Sequence, residues 1–200
     1  GYHAAKPAFI QNITDYLIYR DRPEVLDMLN VKYLITTDQS GEESIMPYNS
    51  SLGPAWFVES VKNVESEEEA LLGLNSLDFK SEALVLGAPS AILSKYSSAE
   101  SDYIEISKAQ EGDIRFQYNS KTTRFAVFSE WFYTPNPSDW KLEVDGESTA
   151  IYQTNYALIG AVLKPGTHEV RLYFDPEVVQ KADLFRLPAQ ALFILAWLFI

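Results

Sequence analysis

The fold is decided by residues 140–146, WKLEVDG, and residues 166–174, GTHEVRLYF. Apolar and charged side chains alternate in the first stretch, as they do in a strand with one buried face. Asp145-Gly146 then favours a tight hairpin, because both residues tolerate the positive φ that such a turn needs. In the second stretch alternate residues from 168 to 174 share one face and are mostly apolar. Both stretches therefore predict strands of an antiparallel sheet.

The neighbouring segments extend this sheet in both directions along the chain. Residues 156–163 carry no charge, which predicts a strand that is covered on both faces. Residues 103–107 and 114–118 predict two further strands, and Pro176 ends the block because proline cannot donate to a ladder. We therefore predict an antiparallel β-sandwich over residues 103–176.

The first part of the chain has a different pattern. Phe9, Ile13 and Leu17 recur at helical spacing, and Ser66 with Glu69 has the spacing of a capping box. Residues 31–37 predict a buried strand, and the polar residues 38–51 predict a surface loop. We predict an α+β subdomain over residues 1–87, followed by a Ser-, Ala- and Pro-rich linker over residues 88–102.

The last residues differ again. Residues 177–200 predict an apolar C-terminal helix, since Leu187–Ile200 contains no charged side chain. A ten-residue helix is about 15 Å long, whereas a bilayer core is about 30 Å thick. The run is either the start of a membrane span or a buried core helix, and its place after a complete sandwich favours the span. Because the chain begins at Gly1 without Met, we expect it to be part of a longer protein.

Composition excludes several classes of function. Lys and Arg number 16 against 28 Asp and Glu, a net charge of −12, which repels nucleic acid and anionic lipid headgroups. There is no cysteine, and the two histidines, His3 and His168, lie far apart in the sequence. We therefore predict no metal site, no cofactor and no catalytic residue. A hydrolase that uses surface carboxylates is a minor alternative, because the acid pairs show no specific spacing.

One constellation indicates ligand binding. Trp131, Tyr133 and Trp140 flank a loop that contains Asn136 and Asp139. Aromatic ring faces stack on sugar C–H groups, while amides and carboxylates bind sugar hydroxyls. These five residues are the candidate glycan-binding residues. The alternative, which the pattern itself favours, is that the rings pack in the core and that proline shapes the loop.

Several stretches, in this order, resemble the bacterial YfhO-type membrane protein family. They are residues 1–6 (GYHAAK), 25–35 (VLDMLNVKYLI), 52–58 (LGPAWFV) and 128–133 (FSEWFY), followed by Trp140, Asp145-Gly146, Asn155-Tyr156 and residues 165–168 (PGTH). One departure is visible, because residues 135–139 lengthen the turn that this family usually has between the tyrosine and the tryptophan.

The resemblance implies a large polytopic membrane protein whose soluble domain lies outside the cytoplasmic membrane, just before a final membrane helix. Members resemble lipid-linked-sugar glycosyltransferases, whose catalytic acid lies in an early loop that is not among these residues. We therefore expect a non-catalytic extracytoplasmic domain, anchored in the cell membrane, that recognises an envelope glycan acceptor or a lipid-linked sugar. The alternative is a purely structural or protein-interaction domain that covers the membrane part.

Overall fold

The computed structural model describes residues 8–18, 22–132, 139–176 and 181 of the chain. The described part is mostly β-strand with few helices, in agreement with the β-rich sandwich that the sequence predicts. The helices are α1 (Ala8–Tyr16), α2 (Val25–Met28), α3 (Glu67–Gly73) and a short 3-10 helix (Ser90–Ile92). The strands are β1 (Tyr33–Thr37), β2 (Glu43–Pro47), β3 (Ala55–Val58), β4 (Ser60–Val64), β5 (Glu82–Leu86), β6 (Tyr103–Gln110), β7 (Asp113–Ser120), β8 (Arg124–Trp131), β9 (Trp140–Val144), β10 (Glu147–Thr149), β11 (Ile151–Thr154), β12 (Leu158–Leu163) and β13 (Gly166–Phe174).

Two sheets pack face to face. The five-stranded sheet has the order β10-β9-β13-β7-β6, and the six-stranded sheet has the order β3-β8-β12-β11-β5-β4. Between them lies the sandwich core, whose largest members are Phe116, Tyr118, Phe128, Leu142, Ile159, Leu163, Val170 and Leu172. Phe116 and Phe128, one from each sheet, meet edge to face with their ring centroids 5.1 Å apart.

The other face of the six-stranded sheet carries a second core, the outer core, which the helices cover. It joins Ile13 of α1, Met28 of α2 and Leu71 of α3 to Val127 and Leu158 of the sheet. The molecule is therefore a three-layer structure with the six-stranded sheet in the middle. This position explains why the uncharged strand β12 is buried on both faces, as its sequence predicts.

The six-stranded sheet takes strands from both predicted segments, 1–87 and 103–176. Strand β3 pairs with β8, and β5 pairs with β11. Ile92 and Tyr96 of the predicted linker 88–102 are buried in the outer core. The predicted linker therefore does not separate two sheets, because two of its side chains pack into the fold. The small and polar residues around these two side chains gave no sign of this packing in the sequence.

One pair of strands is parallel, and it lies in the segment 1–87 that the sequence predicts as α+β. Strands β4 and β5 run in the same direction, since α3 crosses between them. Helix α3 begins as its sequence predicts: the Ser66 Oγ accepts from the Glu69 N–H at 3.1 Å, and the Glu69 carboxylate accepts from the Glu65 N–H at 2.7 Å.

The sequence predicts a buried strand over residues 31–37 and a surface loop over residues 38–51. The strand is confirmed, but its burial is wrong, and the exposed strand β2 occupies part of the predicted loop. Strands β1 and β2 form an antiparallel hairpin that joins neither of the two large sheets in the described part of the chain. Tyr33, Ile35 and Ile45 are about two thirds exposed, at 66%, 66% and 68%. The apolar residues of β1 indicate a strand correctly, but no second layer from the described residues covers it.

Apart from residue 181, the predicted C-terminal helix over 177–200 lies outside the described residues. Among the helices that the structure does describe, none has the length and apolar character needed to cross a membrane.

Candidate functional site

The predicted glycan-binding residues lie around the connection from β8 to β9. Trp131 ends β8 in the six-stranded sheet, and Trp140 begins β9 in the five-stranded sheet. The chain therefore passes from one sheet to the other between these two residues. Tyr133 and Asn136 lie outside the described residues.

Trp131 packs against the outer core. It is partly buried, it lies opposite Leu158 in the sheet, and its ring centroid is 4.9 Å from that of Phe9 in α1. The two rings are tilted by 45°. Part of the Trp131 ring therefore holds α1 on the six-stranded sheet.

Trp140 packs against the sandwich core instead. Its ring lies 5.2 Å from that of Phe174, its neighbour on β13. The indole Nε1 is buried and has no hydrogen-bond acceptor in the described part of the chain. A buried donor without a partner costs about 1–3 kcal/mol, so an acceptor that reached this nitrogen would be bound favourably.

Asp139 is buried, with 7% of its surface exposed. Its backbone carbonyl accepts a hydrogen bond of 2.7 Å from the Asp175 N–H, which extends the contact between β9 and β13 beyond Phe174. The structure thus brings Asp139 and Trp140 together at the start of β9, while Trp131 packs on the other face of the six-stranded sheet.

Sequence reasoning missed Glu130, which lies beside Trp131. Burial raises the pKa of the Glu130 carboxyl, and no hydrogen bond or ion pair reaches its side chain from the described residues. The pairing of β8 with β12 slips at this point, from Ile159 with Phe128 to Leu158 with Trp131, so Glu130 falls in a bulge. The available signal was a single carboxylate within the otherwise uncharged run 125–133.

A different cleft, of about 430 Å³, contains His168 and Asp145. The His168 Nδ1 lies 2.6 Å from the Asp145 carboxylate, and Nε2 lies 3.1 Å from the Pro165 carbonyl. The Asp145 hydrogen bond, together with the Pro165 carbonyl, raises the pKa of His168. Because both ring nitrogens have partners, His168 is a structural histidine that connects the turn at Asp145 with the turn at Pro165. His3 lies outside the described residues.

Within the described ranges, no three His, Cys, Asp or Glu side chains are placed to share a metal ion.

The fold and the site define a three-layer β domain in which the Glu130 carboxyl and the Trp140 N–H find no partner among the described residues. Both groups belong to or adjoin residues 131–140, which we call the aromatic segment. Residues 60–181, more than half of the chain, match the family model of the bacterial membrane protein YfhO. The chain therefore belongs to the YfhO family of bacterial membrane proteins, which confirms the resemblance seen in its sequence. No curated protein and no solved structure matches it significantly. The matched range begins at β4 and contains Trp131 and Trp140, whereas α1, α2 and the β1–β2 hairpin precede it.

Proposed function

We propose that this chain is a non-catalytic extracytoplasmic domain of a polytopic YfhO-family membrane protein, which recognises an envelope glycan acceptor or a lipid-linked sugar. Membership of the family supports the association with a membrane. The side of the membrane and the relation to lipid-linked-sugar glycosyltransferases belong to the proposal, and they rest on the resemblance of the sequence.

The observation that carries the glycan part is the pair of unpaired polar groups beside the aromatic segment. Glu130 offers a partly buried carboxyl and Trp140 offers a buried indole N–H, each without a partner in the described residues. A sugar hydroxyl can donate to the Glu130 carboxylate, and a sugar oxygen can accept from the indole N–H. Trp131 and Trp140, each only partly buried, supply ring surface for the sugar C–H groups.

Charge restricts the glycan. The chain has a net charge of −12, so anionic wall polymers are repelled at the ionic strength of ordinary media. We therefore expect an uncharged glycan to bind better than a phosphate-rich one of the same length.

Calorimetric titration with neutral and phosphate-rich wall glycans tests the proposal. Trp140→Phe removes the N–H but keeps a ring, and Glu130→Gln removes the acid but keeps the shape. We expect each change to weaken glycan binding several-fold, whereas Glu105→Gln on the exposed strand β6 leaves the affinity unchanged. The absence of any glycan binding at millimolar concentration would refute the proposal.

A second candidate is a structural or protein-interaction domain that covers the membrane part of the protein. The exposed apolar face of the β1–β2 hairpin favours it, because Tyr33, Ile35 and Ile45 leave a contiguous ribbon uncovered. A photo-cross-linking residue at position 45 of the full-length protein in membranes should then form cross-links to the membrane-spanning part. In this case Trp131→Ala or Trp140→Ala would impair folding or assembly rather than glycan affinity.

A further inference from the structure

A second cleft lies where β3 of the six-stranded sheet meets β6 of the five-stranded sheet. Its volume is about 450 Å³, within the range of roughly 300–1,000 Å³ that ligand pockets have. Arg124 begins β8 and Trp131 ends it, so this cleft and the aromatic segment lie at opposite ends of one strand. We call it the arginine cleft and define it by Phe57, Glu59, Lys80, Asp102, Tyr103 and Arg124.

A buried ion pair forms the floor of the arginine cleft. The side chains of Arg124 and Asp102 are only 3% and 4% exposed, and the Arg124 Nη1 lies 3.1 Å from the Asp102 carboxylate and 2.7 Å from the Ser97 carbonyl. The guanidinium carbon lies 5.2 Å from the centre of the Phe57 ring. The Nε of Arg124 is buried and finds no acceptor among the described residues. The floor is thus held by several contacts, and one of its donors has no acceptor in the described part of the chain.

The mouth of the cleft offers three different kinds of contact. Tyr103 is 43% exposed, and its hydroxyl makes no hydrogen bond within the described ranges. The Lys80 ammonium likewise has no hydrogen bond or ion pair there, although it lines the cleft. The Glu59 carboxylate accepts a hydrogen bond of 3.2 Å from the Ser98 hydroxyl through Oε1. An aromatic ring, a strong donor and a strong acceptor therefore surround the opening.

The charges of the cleft cancel. Lys80 and Arg124 are balanced by Glu59 and Asp102, and the chain around them is strongly acidic. A phosphate or carboxylate ligand gains little from a lining without net charge and is repelled by the rest of the surface. A purely apolar ligand would leave the donors and the acceptor unpaired, which costs free energy. The matching chemistry is uncharged, rich in hydroxyl groups and bounded by a C–H face.

We propose that the arginine cleft binds one uncharged sugar unit, with its C–H face on the Tyr103 ring and its hydroxyls on Lys80 and Glu59. This inference rests on the proposed function for the class of ligand, and it adds a second site at the far end of β8. A glycan long enough to contact both sites would gain affinity from the two contacts acting together.

The test is a titration of the ¹⁵N-labelled chain with cellotetraose and with a tetramer of N-acetylglucosamine, followed by NMR. We expect shift changes at Tyr103 and in residues 97–102. Tyr103→Ala should weaken binding roughly five- to tenfold through loss of the ring contact, and Tyr103→Phe should keep most of the affinity. Tyr33→Ala is the matched control, because Tyr33 is also exposed, at 66%, but lies outside the cleft.

The outcomes separate this inference from the proposed function. Shift changes confined to the region of Trp131 and Trp140, with no effect of Tyr103→Ala, overturn the arginine cleft and leave the proposed function standing. Loss of binding in Tyr103→Ala but not in Trp140→Phe supports the cleft and removes the aromatic segment as the site. Tighter binding of a sulfated tetrasaccharide than of its neutral counterpart overturns the assignment of an uncharged ligand, and so does the absence of binding by either neutral probe.

Discussion

The β1–β2 hairpin and the β7–β13 pair are both antiparallel ribbons with apolar side chains at alternate positions. In β7–β13, Phe116 lies opposite Val170, and both are fully buried. In the hairpin, Ile35 lies opposite Ile45, and both are about two thirds exposed, at 66% and 68%. Since the pairing is of the same kind, the difference comes from the second layer, which covers β7–β13 and not the hairpin.

The comparison separates two contributions to a β fold. Strand pairing decides which side chains meet, whereas a covering layer removes them from water and supplies most of the stabilisation. A two-stranded ribbon alone is marginal in water. The hairpin is anchored at its base, where the Tyr48 hydroxyl donates to the Asp27 carboxylate at 2.6 Å and the Tyr48 N–H donates to the Lys32 carbonyl at 2.8 Å. Its outer face remains free for another surface.

The largest loss of stability is expected from a substitution in the β7–β13 pair, which the second sheet covers. Phe116→Ala should destabilise the chain by about 3–5 kcal/mol, because it opens a cavity between the two sheets and removes the contact with Phe128. Urea unfolding followed by far-UV circular dichroism measures the change. A loss below about 1 kcal/mol would mean that the sheets are not packed as described.

The next test compares two ion pairs that differ in burial. Asp102→Asn leaves the buried Arg124 without its counter-charge and should cost about 3–5 kcal/mol. Asp113→Asn is the matched control, because its partner Arg171 is 35% exposed; it should cost no more than about 1 kcal/mol. Equal losses in the two variants, measured by the same unfolding experiment, would contradict the burial of the first pair.

A smaller, pH-dependent effect is expected at the rim of the covered sheet, where His168 binds Asp145. The folded pKa of His168 is raised by Asp145, so the pair stabilises the folded chain fully below the unfolded pKa of about 6.5. This stabilisation is lost as the pH rises through the folded pKa. His168→Gln should therefore lower the Tm more at pH 6 than at pH 9, with a pH-dependent part of about 1 kcal/mol or less. A difference that grows toward alkaline pH would exclude this pair as its source.

The smallest loss of stability is expected from a substitution on the exposed face of the β1–β2 hairpin. Ile45→Ala should change the free energy of unfolding of this chain by less than about 0.5 kcal/mol, because the side chain is already mostly in water. Phe116→Ala, measured under the same conditions, gives the scale. If Ile45→Ala costs about as much as a core substitution, the hairpin face is covered in solution and the comparison fails.

Local patterns predicted the parts of this protein whose structure depends on neighbours in sequence. Alternation located β9 and β13, the uncharged run 156–163 predicted a strand buried on both faces, and Ser66 with Glu69 marked the start of α3. The predicted turn at Asp145-Gly146 is also confirmed, since both residues adopt a positive φ. The same alternation misjudged β1, because a local pattern does not reveal whether another layer will cover a strand.

The candidate sites were harder to predict because they are assembled from distant segments. Trp131 and Trp140 look alike in the sequence, yet they pack into different cores since β8 and β9 belong to different sheets. Glu130 is the single carboxylate of an uncharged run, but the bulge that contains it is visible only in the pairing of β8 with β12. The arginine cleft brings together residues 57, 80 and 124, and no spacing in the chain indicates that they meet.

By itself, the amino-acid sequence determined the β-rich class, the faces of the main strands, the acidic surface and the membership of the YfhO family. These follow from side-chain periodicity, from charge and from residues close together along the chain. Only the tertiary structure decided that β3, β4 and β5 join the central sheet, that the hairpin stays uncovered and that Arg124 meets Asp102 in a cleft. Those outcomes depend on which strands pair and which layers pack across long separations, where the contacts lie between residues that are not neighbours in the chain.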